Sequence, residues 1–367
     1  MLRGLRTALA VLAATGAVAA SASAQSIRFG AVVPLTGPAT VIGTQEKRGL
    51  EFAVEDTNAK GGVAGHKIEL TFEDNQAKPD LSVLSFNKLV DLEKVPAVFT
   101  GYSGPTLAMA PIATRRKVLL VNCGAQADKL ATASPYLFNT IPSSIDEVSV
   151  MAKYLVQQGK KRAAILYEND AAGIGGRDDF VETYPKAGGT IIDQEPVQFG
   201  QTDMRAPLLK LAAGKPDVLF VVLTANNVNL AQQYKQLNLS FLIAGTTFME
   251  DPVTVADPAS DGFIHTQVQV IPPEALAARF KAKYGDAMDF FATQYYNGAQ
   301  TVMAALARVL DEKKPVTGDN LREAIFAIRK FQGIIPMEFT TNTAKMPVGI
   351  VRMHGGAEES VMQMTPG

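Results

Sequence analysis

Short apolar runs alternate with longer amphipathic segments along the first third of the chain. The strand-like runs are residues 27–34, 66–73, 97–100 and 118–122, and the helix-like segments between them are residues 41–60, 81–92 and 106–116. In the helix-like segments apolar residues recur at spacings of three and four, which is the period of an α-helix. The pair Gly61-Gly62 ends the first of these helices. Strands that alternate with helices in this way predict a parallel sheet covered by helices on both faces.

A second series of the same kind follows residue 142. Its helix-like segments are residues 146–158, 175–187, 204–213 and 226–237, and its strand-like runs are residues 162–167, 190–197, 218–222 and 241–244. The runs 118–121 and 218–222 are apolar without interruption, as expected of strands that are buried on both faces of a sheet. The pattern therefore predicts an α/β fold with two doubly wound, parallel-sheet lobes.

Beyond residue 271 the pattern becomes mainly helical. Helix-like segments cover residues 273–284, 289–310 and 319–327, and two late strand-like runs cover residues 336–340 and 348–353. The sequence between the two series contains no repeat, low-complexity tract or proline-rich linker. We therefore expect the lobes to be joined by short, structured crossovers that form a hinge.

The first 24 residues have the composition of a secretory signal peptide. Arg3 and Arg6 precede an apolar run over residues 8–20, and Ala22-Ser23-Ala24 provides a small-residue cleavage site. The apolar run has 13 residues, whereas a membrane-spanning helix needs about 20. We therefore expect a cleaved signal over residues 1–24, and export to the periplasm without membrane insertion. A lipid anchor is not expected, because no cysteine follows the cleavage site.

Length and charge narrow the possible classes of protein further. The 343 residues that follow the predicted signal exceed what one core usually holds, since cores stop growing at about 250–300 residues. Their 33 Lys and Arg residues stand against 36 Asp and Glu residues, a formal charge of −3, which argues against nucleic acid as a partner. The single cysteine, Cys123, cannot form an internal disulfide and is predicted to be a small buried residue at a strand end.

Motifs for catalysis and cofactor binding are incomplete. The glycine-rich segment 173–176 lacks the third glycine of a dinucleotide fingerprint, since position 178 is Asp. The sequence contains neither a Gly-Lys-Ser/Thr phosphate loop nor a Gly-x-Ser-x-Gly elbow. The histidines, His66, His265 and His354, are far apart and have no partner at metal-ligand spacing. We therefore predict a binding protein rather than an enzyme, with neither a cofactor nor a metal.

Three loops at predicted strand ends are candidates for ligand contact, because ligands of open α/β sheets bind beyond the carboxyl ends of the strands. The loops cover residues 101–106, 123–126 and 245–248. In the first, the Ser103 hydroxyl and free backbone N–H groups lie at the start of a helix whose dipole favours an anion. Ordinary strand-to-helix turns are an equally good interpretation of the spacing alone.

Several short segments together resemble one known family. They are Gly30-Ala31-Val32-Val33-Pro34-Leu35-Thr36-Gly37-Pro38, Asn58-Ala59-Lys60-Gly61-Gly62 with Gly65, the loops Tyr102-Ser103 and Gly124-Ala125, and Phe138-Asn139-Thr140. On these residues the chain is similar to the leucine/isoleucine/valine-binding proteins, which are branched-chain amino acid type substrate-binding proteins of ABC importers. The resemblance implies a monomeric type I periplasmic binding protein, in which two α/β lobes joined by three crossovers close over a ligand. It places the first lobe at residues 25–141 plus 270–333 and the second at residues 142–269 plus 334–367.

The resemblance also implies a set of ligand-binding residues. They are Ile42, Tyr102, Ser103, Gly104, Ala125, Gln126, Asn226, Thr247 and Phe248. Among them, the segments Ser103-Gly104 and Ala125-Gln126 correspond to the family's clamp for the carboxylate of the ligand. Ile42 and the aromatic residues are expected to form apolar walls, with Tyr295 or Tyr296 as a further candidate. Ala172 stands where the family usually has an aromatic residue.

The second lobe departs from the family where an amino acid's α-ammonium group is held. Members that bind amino acids have a carboxylate at this strand end, whereas this chain has Thr246-Thr247-Phe248, and Glu250 and Asp251 come later. A buried ammonium group without a counter-charge is strongly destabilising. We therefore predict that the ligand is a small organic carboxylate, an aromatic or keto acid. A branched-chain or other amino acid or amide, with the acid supplied by a shifted Glu250, is the alternative.

The predicted role is that of a transport receptor. A ligand that binds the closed form more tightly shifts the free protein towards it, and a membrane permease of an ABC importer then recognises this form. A receptor that presents the same closed form to a signalling protein is an open alternative, because both roles use the same surfaces. An exported hydrolase or dehydrogenase would need a nucleophile, metal or cofactor site, which the motifs above do not supply.

Overall fold

The computed structural model describes residues 26–268 and 272–362. The predicted signal segment, residues 1–24, lies outside the described residues, and its cleavage stays a prediction.

The first series of elements forms a five-stranded parallel sheet. Its strands are β1 (Ile27–Val33), β2 (Ile68–Asp74), β3 (Ala97–Thr100), β4 (Leu119–Asn122) and β5 (Leu137–Asn139), and its helices are α1 (Thr40–Ala59), α2 (Pro79–Asp91) and α3 (Ser103–Arg116). The strand order is β2-β1-β3-β4-β5, so the chain winds outward from β1 in both directions. A 3-10 turn at Asp128–Thr132 leads into β5, which sequence analysis did not predict because it is only three residues long.

The second series forms the parallel part of a seven-stranded sheet. Its elements are α4 (Ser144–Gln157), β6 (Arg162–Glu168), α5 (Ala171–Ala187), β7 (Thr190–Val197), α6 (Arg205–Ala213), β8 (Val218–Val222), α7 (Asn227–Gln236), β9 (Leu242–Gly245), α8 (Pro252–Ala256) and β10 (Ile264–Val268). The parallel strands lie in the order β10-β9-β8-β6-β7. The predicted α/β fold with two parallel sheets is confirmed.

The remaining elements complete both lobes. They are α9 (Glu274–Tyr284), α10 (Phe290–Asp311), α11 (Gly318–Ile328), β11 (Lys330–Gln332), β12 (Pro336–Phe339), β13 (Ala344–Lys345), β14 (Val348–His354) and β15 (Ala357–Met362). Strands β14 and β15 add antiparallel strands to the edge of the second sheet, beside β10. Strands β11, β12 and β13 form a separate small antiparallel sheet.

The late helices pack against the first lobe. Asp56 on α1 accepts a hydrogen bond from the Tyr296 hydroxyl of α10 at 2.9 Å and pairs with Arg279 of α9. Burial would raise the pKa of Asp56, but hydrogen bonds from Arg279 and Tyr296 outweigh burial and lower the pKa. This network fixes α9 and α10 on α1, and Tyr296 is thereby committed to the helix interface.

The small sheet also belongs to the first core, which revises one predicted boundary. Met337, Phe339 and Met346 are buried in the same cluster as the residues of the first sheet, and the rings of Phe138 and Phe339 lie 5.7 Å apart. Val348 then begins β14, which joins the second sheet. On this packing we propose that the third crossover lies between Met346 and Val348, rather than at residues 333–334.

No helix in the described part of the chain combines the length and apolar character that a bilayer span requires.

Candidate functional site

A narrow cavity lies between the two lobes, beyond the carboxyl ends of the parallel strands. It is lined by Ile42, Glu46, Tyr102, Ser103, Gly124, Ala172, Thr224, Phe248 and Phe291. The first lobe contributes residues from α1, from the loops after β3 and β4, and from α10. The second lobe contributes the start of α5 and the loops after β8 and β9. This is the position at which open α/β sheets bind ligands.

Tyr102 holds an unusual backbone conformation at the edge of this cavity. It precedes α3 with φ 64° and ψ 126°, a region that residues with a side chain rarely adopt. The Tyr102 carbonyl accepts hydrogen bonds from the Thr106 amide at 3.0 Å and the Thr106 hydroxyl at 2.8 Å, which hold the strained residue in place. Such strain is concentrated at functional sites. The Tyr102 hydroxyl is buried and has no hydrogen-bond partner among the described residues.

The start of α3 offers polar groups to the cavity. No side chain caps this helix, so its first N–H groups are available to an anion, which the helix dipole also favours. The Ser103 hydroxyl accepts a hydrogen bond from the Ala127 amide at 3.3 Å and keeps its own proton for a ligand. This wall suits a negatively charged or acceptor group.

The second predicted clamp loop covers residues 123–126, and its hydrogen-bond donors are bonded within the protein. The Asn122 side-chain oxygen accepts the amide of Gly124 at 3.2 Å and the amide of Ala125 at 2.7 Å. Ala125 is buried in the core cluster beneath the first sheet. The Gln126 side chain donates to Glu147 and to the Pro142 carbonyl, the latter at 3.3 Å. In this conformation the Ala125 amide and the Gln126 side chain are thus engaged within the protein, and their role in holding the ligand's carboxylate stays a prediction.

Three other predicted residues also lie outside the cavity lining. A methyl group added at Gly104 would face Pro79 of α2 at 3.3 Å, so the side-chain position of this residue faces α2, while its N–H belongs to the uncapped start of α3. Asn226 adopts a left-handed conformation, and its side chain reaches the Gln201 carbonyl at 3.5 Å. The Thr247 amide donates to Glu147 at 3.2 Å. The structure thus brings together four of the nine predicted residues, Ile42, Tyr102, Ser103 and Phe248.

Glu46 is the main residue that sequence analysis missed. It lies four residues after Ile42 on α1, so the two side chains share a helix face, and this spacing was a signal that could have revealed it. Glu46 is only 1% exposed, and its Oε2 atom has no hydrogen-bond partner among the described residues. Sequence analysis expected no acid at the ammonium position of the second lobe, but a buried acid reaches the cavity from the first lobe.

The charge state of Glu46 follows from its surroundings. Burial raises the pKa of Glu46 to about 8; the Tyr295 hydroxyl opposes this shift and the Asp289 carboxylate adds to it. Cationic side chains are absent from the described cavity lining. Glu46 is therefore mostly a neutral carboxylic acid at pH 7, and it can donate a hydrogen bond to a ligand.

Two glycines lie beside this acid. A methyl group at Gly124 would lie 3.5 Å from Glu46 Oε1 and 3.5 Å from the Tyr295 hydroxyl. At Gly101 an added methyl group would overlap the same hydroxyl. The loop after β3 can therefore close over the Tyr295 side chain only because position 101 is glycine, whereas a methyl group at position 124 would make an ordinary contact.

Replacing Gly101 with alanine should destabilise the protein and weaken ligand binding. The new methyl group must displace the fully buried Tyr295 ring, so we expect a loss of about 1–3 kcal/mol in the free energy of unfolding, together with weaker ligand binding. Urea unfolding measures the first effect. The matched control is Gly104→Ala, whose methyl group meets only Pro79. Adding Tyr295→Phe to Gly101→Ala should recover part of the loss, and independent, additive effects would contradict the proposed overlap.

The second-lobe wall carries a further buried carboxyl group behind Thr224. Glu168 accepts a hydrogen bond from the Thr224 amide at 2.8 Å and another from the Thr224 hydroxyl at 2.5 Å. Burial raises the pKa of Glu168 to about 7, although these hydrogen bonds oppose the shift. Thr224 is thereby oriented with its oxygen free to accept from a ligand. Beside it, Ala172 and Phe248 leave the second-lobe wall largely apolar.

The acids proposed as alternatives in the second lobe do not line the cavity. Asp251 caps α8 by accepting the Thr254 amide at 2.8 Å. Donor atoms of Glu250, His265 and Glu358 lie within 4.8 Å of one another, a set that could hold a metal ion and that the wide spacing of the histidines concealed. His265 Nδ1 lies 2.8 Å from the Thr266 carbonyl, which can only accept, and Nε2 lies 2.8 Å from Glu358. Glu358 also accepts a hydrogen bond from the Gln267 side chain at 2.9 Å, so it joins β15 to β10.

The glycine-rich segment 173–176 lies inside α5 and not in a strand-to-helix turn. Asp170 caps this helix by accepting the Gly173 amide at 2.8 Å. A methyl group at Gly176 would meet Val222 of β8 at 2.8 Å, so this glycine allows close packing of helix on sheet. The segment is thus a packing feature rather than a phosphate cradle.

Comparisons with known proteins agree with this architecture. The family model described as periplasmic binding protein matches residues 26–357. A Brucella melitensis protein named Leu/Ile/Val-binding protein homolog 3 is 31% identical over 231 residues, which cover 62% of this chain and 62% of that protein. The match therefore spans about three fifths of the length of that relative.

Solved structures are similar over nearly the whole chain. A solute-binding protein of an ABC transporter from Rhodopseudomonas palustris, in complex with 3,4-dihydroxybenzoic acid, has a TM-score of 0.82 at 23% identity and covers 93% of this chain and 97% of that one. The branched-chain amino acid binding protein LivJ from Streptococcus pneumoniae, in complex with isoleucine, has a TM-score of 0.82 at 22% identity and covers 93% of this chain and 100% of that one. At these identities the likeness shows a shared fold.

Proposed function

This chain belongs to the periplasmic binding proteins, the substrate-binding components of ABC importers, and from that premise we propose that it binds a small aromatic carboxylic acid between its lobes. Members of the family bind small molecules and deliver them to a membrane permease, and we propose the same partner here.

The observation that carries the proposal is the composition of the cavity walls. Tyr102 and Phe291 from the first lobe and Phe248 from the second surround the space, and Ile42 adds an aliphatic contact. Aromatic rings pack favourably against one another in offset or edge-to-face arrangements. A flat ring that enters between the lobes would be enclosed on both sides when they close.

The polar groups suit a carboxylate at one end of such a ring. The uncapped start of α3 and the Ser103 hydroxyl face the cavity from the first lobe, and the neutral acid of Glu46 stands beside them. All of these groups can donate hydrogen bonds, and donors that converge on a largely apolar pocket fix the orientation of a ligand. The neighbour solved with 3,4-dihydroxybenzoic acid is consistent with this fold accepting such acids.

A branched-chain amino acid is the second candidate, and Glu46 is the observation in its favour. An α-ammonium group beside Glu46 would favour the ionised carboxylate and supply the counter-charge whose absence argued against amino acids. The relative named as a Leu/Ile/Val-binding protein homolog points the same way. The two candidates therefore require opposite protonation states of one residue.

A thermal-shift screen decides between them. The panel contains benzoate, 4-hydroxybenzoate, phenylpyruvate, leucine, valine and isoleucine, each tested at pH 7 over a range of concentrations. We expect stabilisation by the aromatic acids, since a ligand at 100 times its Kd adds about 2.7 kcal/mol to the stability of the folded protein. Stabilisation by the three amino acids alone would refute the proposal. Phe248→Ala, which removes one wall, should weaken the response to every aromatic acid.

A further inference from the structure

We propose that Glu46 is the specificity-determining residue of the cavity: it stays protonated in the complex and donates its proton in a hydrogen bond to the carboxylate of the ligand. This inference rests on the proposed function. It makes ligand binding a proton-linked event.

The geometry around Glu46 points to a ligand. Its side chain lines the cavity and is almost fully buried, yet Oε2 has no hydrogen-bond partner among the described residues. The Tyr102 hydroxyl, which lines the same cavity, is likewise buried and without a partner in the described part of the chain. An unsatisfied buried polar group costs about 1–3 kcal/mol, so two such groups at one cavity call for a polar ligand group that satisfies them.

The groups that face Glu46 give it no positive partner. Tyr295 and Asp289 face it from α10, Tyr102 from the loop after β3, and Cys123 from the end of β4. Burial raises the pKa of Cys123 to about 12, so the thiol is neutral at physiological pH.

The other charged groups near Glu46 do not supply a positive partner either. Across the cleft, Glu168 is acidic and bonded to Thr224. On α1 itself the cations are paired elsewhere, Lys47 with Glu51 at 3.4 Å and Arg48 with Asp286 at 2.5 Å. An ionised Glu46 would therefore repel a ligand carboxylate without any compensating cation, and only the protonated form can bind it.

The sign of the pH dependence follows from this requirement. In the free protein the pKa of Glu46 is raised to about 8, chiefly by burial, and a bound carboxylate raises it further. Binding above pH 8 must therefore take up a proton, and the affinity should fall about tenfold for each further pH unit. An amino acid, whose ammonium group needs the ionised Glu46, would show the opposite slope and would release a proton.

Calorimetric titration with benzoate measures this proton directly. Titrations of the wild-type protein at pH 6.5, 7.5, 8.5 and 9.0, each in two buffers of different ionisation enthalpy, give the affinity and the number of protons exchanged. We expect about 0.8 proton taken up per benzoate at pH 8.5 and about 0.9 at pH 9.0, little exchange at pH 6.5, and an affinity at pH 9.0 about tenfold below that at pH 7.5.

Two variants assign the effect to Glu46. Glu46→Gln is neutral at every pH and keeps a donor, so it should bind benzoate a fewfold more weakly than wild type at pH 6.5, exchange no proton, and become the tighter binder at pH 9.0. The matched control is Glu168→Gln, which removes the other raised carboxyl of the cleft and should keep the proton uptake at pH 8.5. Circular dichroism and a folded-state melting transition confirm that each variant is folded.

The outcomes separate the two proposals. Benzoate binding with no proton uptake from pH 6.5 to 9.0 would overturn the role of Glu46 and leave the proposed function standing, as would uptake that Glu168→Gln abolishes. Binding of leucine with proton release would overturn both. Crossing affinity curves for wild type and Glu46→Gln would establish the inference.

Discussion

Replacing Glu147 with alanine is expected to lower the free energy of unfolding by about 3 kcal/mol or more. Glu147 lies on α4, is fully buried, and accepts hydrogen bonds from three donors. The Thr247 amide donates at 3.2 Å, the Thr266 hydroxyl donates at 2.6 Å, and the Gln126 side chain donates to the other oxygen. The alanine variant would leave all three donors buried without an acceptor and would also leave a cavity.

The effect should reach beyond one lobe. Gln126 follows β4 of the first lobe, whereas Thr247 and Thr266 belong to the second, so Glu147 ties the two lobes together beside the cavity. Urea unfolding followed by circular dichroism should show a lower midpoint for Glu147→Ala. The ligand affinity should fall as well, because Thr247 immediately precedes Phe248 of the cavity wall.

Glu147→Gln is the matched control for this prediction. The glutamine oxygen can accept from Thr247 and Thr266, and the amide group can then donate to the Gln126 oxygen, which has no partner among the described residues. We expect this variant to lose less than half of what Glu147→Ala loses. Equal losses would show that the carboxylate charge, and not the set of acceptors, stabilises this junction.

Sequence analysis located three strands with the bounds that the structure has, and two of them, β3 and β8, are fully buried. The structure has β3 at Ala97–Thr100, β7 at Thr190–Val197 and β8 at Val218–Val222, the same bounds as the predicted runs. β8 is a continuously apolar run and β3 is apolar except for Thr100, and the side chains of both are all buried, whereas most residues of β7 are exposed or half-buried and it was located by its strand-like composition between turns. For β3 and β8 the local pattern was sufficient because it coincides with the burial that stabilises the strand.

Strand β10 shows why the local sequence pattern does not predict every strand. Its sequence Ile-His-Thr-Gln-Val has three consecutive polar residues, and sequence analysis did not predict it. In the fold, His265 and Gln267 bond to Glu358 of β15, and Thr266 bonds to Glu147 of α4. These partners lie about 90 to 120 residues away, so the polar strand becomes stable only within the complete lobe.

The sequence predicted which loops line the cavity, but not how their side chains are oriented. The loops after β3 and β9 contribute Tyr102, Ser103 and Phe248 to the cavity, as expected from strand ends alone. The orientation of Gln126 and Thr247 is set by Glu147, whose distance along the chain hides it from spacing arguments. Glu46 could have been added to the predicted site, because a helical wheel of α1 places it on the same face as Ile42.

The stability of the free protein is expected to decrease as the pH rises from 5.5 to 8. Burial raises the pKa of Glu46 to about 8 and those of Glu168 and Asp289 to about 7, whereas the same groups in the unfolded chain titrate near pH 4. Across this window the folded protein holds protons that the unfolded chain has already lost. Stability falls with pH wherever the folded state binds more protons, so the slope is negative.

The expected size follows from the same linkage. One group can contribute at most about 1.4 kcal/mol per pH unit, so between pH 5.5 and 8 Glu46 contributes a loss of about 3 kcal/mol and Glu168 and Asp289 about 2 kcal/mol each, an upper limit of about 7 kcal/mol in total. Groups with lowered pKa, such as Asp56, do not offset this loss, because their stabilising contribution is complete once the unfolded carboxyl has ionised, below this window. Thermal melts at half-unit pH intervals and constant ionic strength measure the slope.

Glu46→Gln measures how much of this pH dependence of stability comes from Glu46. The variant cannot ionise, so it should lose less stability than wild type between pH 5.5 and 8 and be the more stable of the two at pH 8. Saturating benzoate should make the wild-type slope near pH 8 steeper, because the complex keeps the Glu46 proton that the free protein has half lost at this pH. A melting temperature of the free wild-type protein that rises from pH 5.5 to 8 would contradict the assignment of protonated carboxyls. The buried acids of the cleft would then be ionised and paired with cations, and a ligand carboxylate would have to be held by groups other than Glu46.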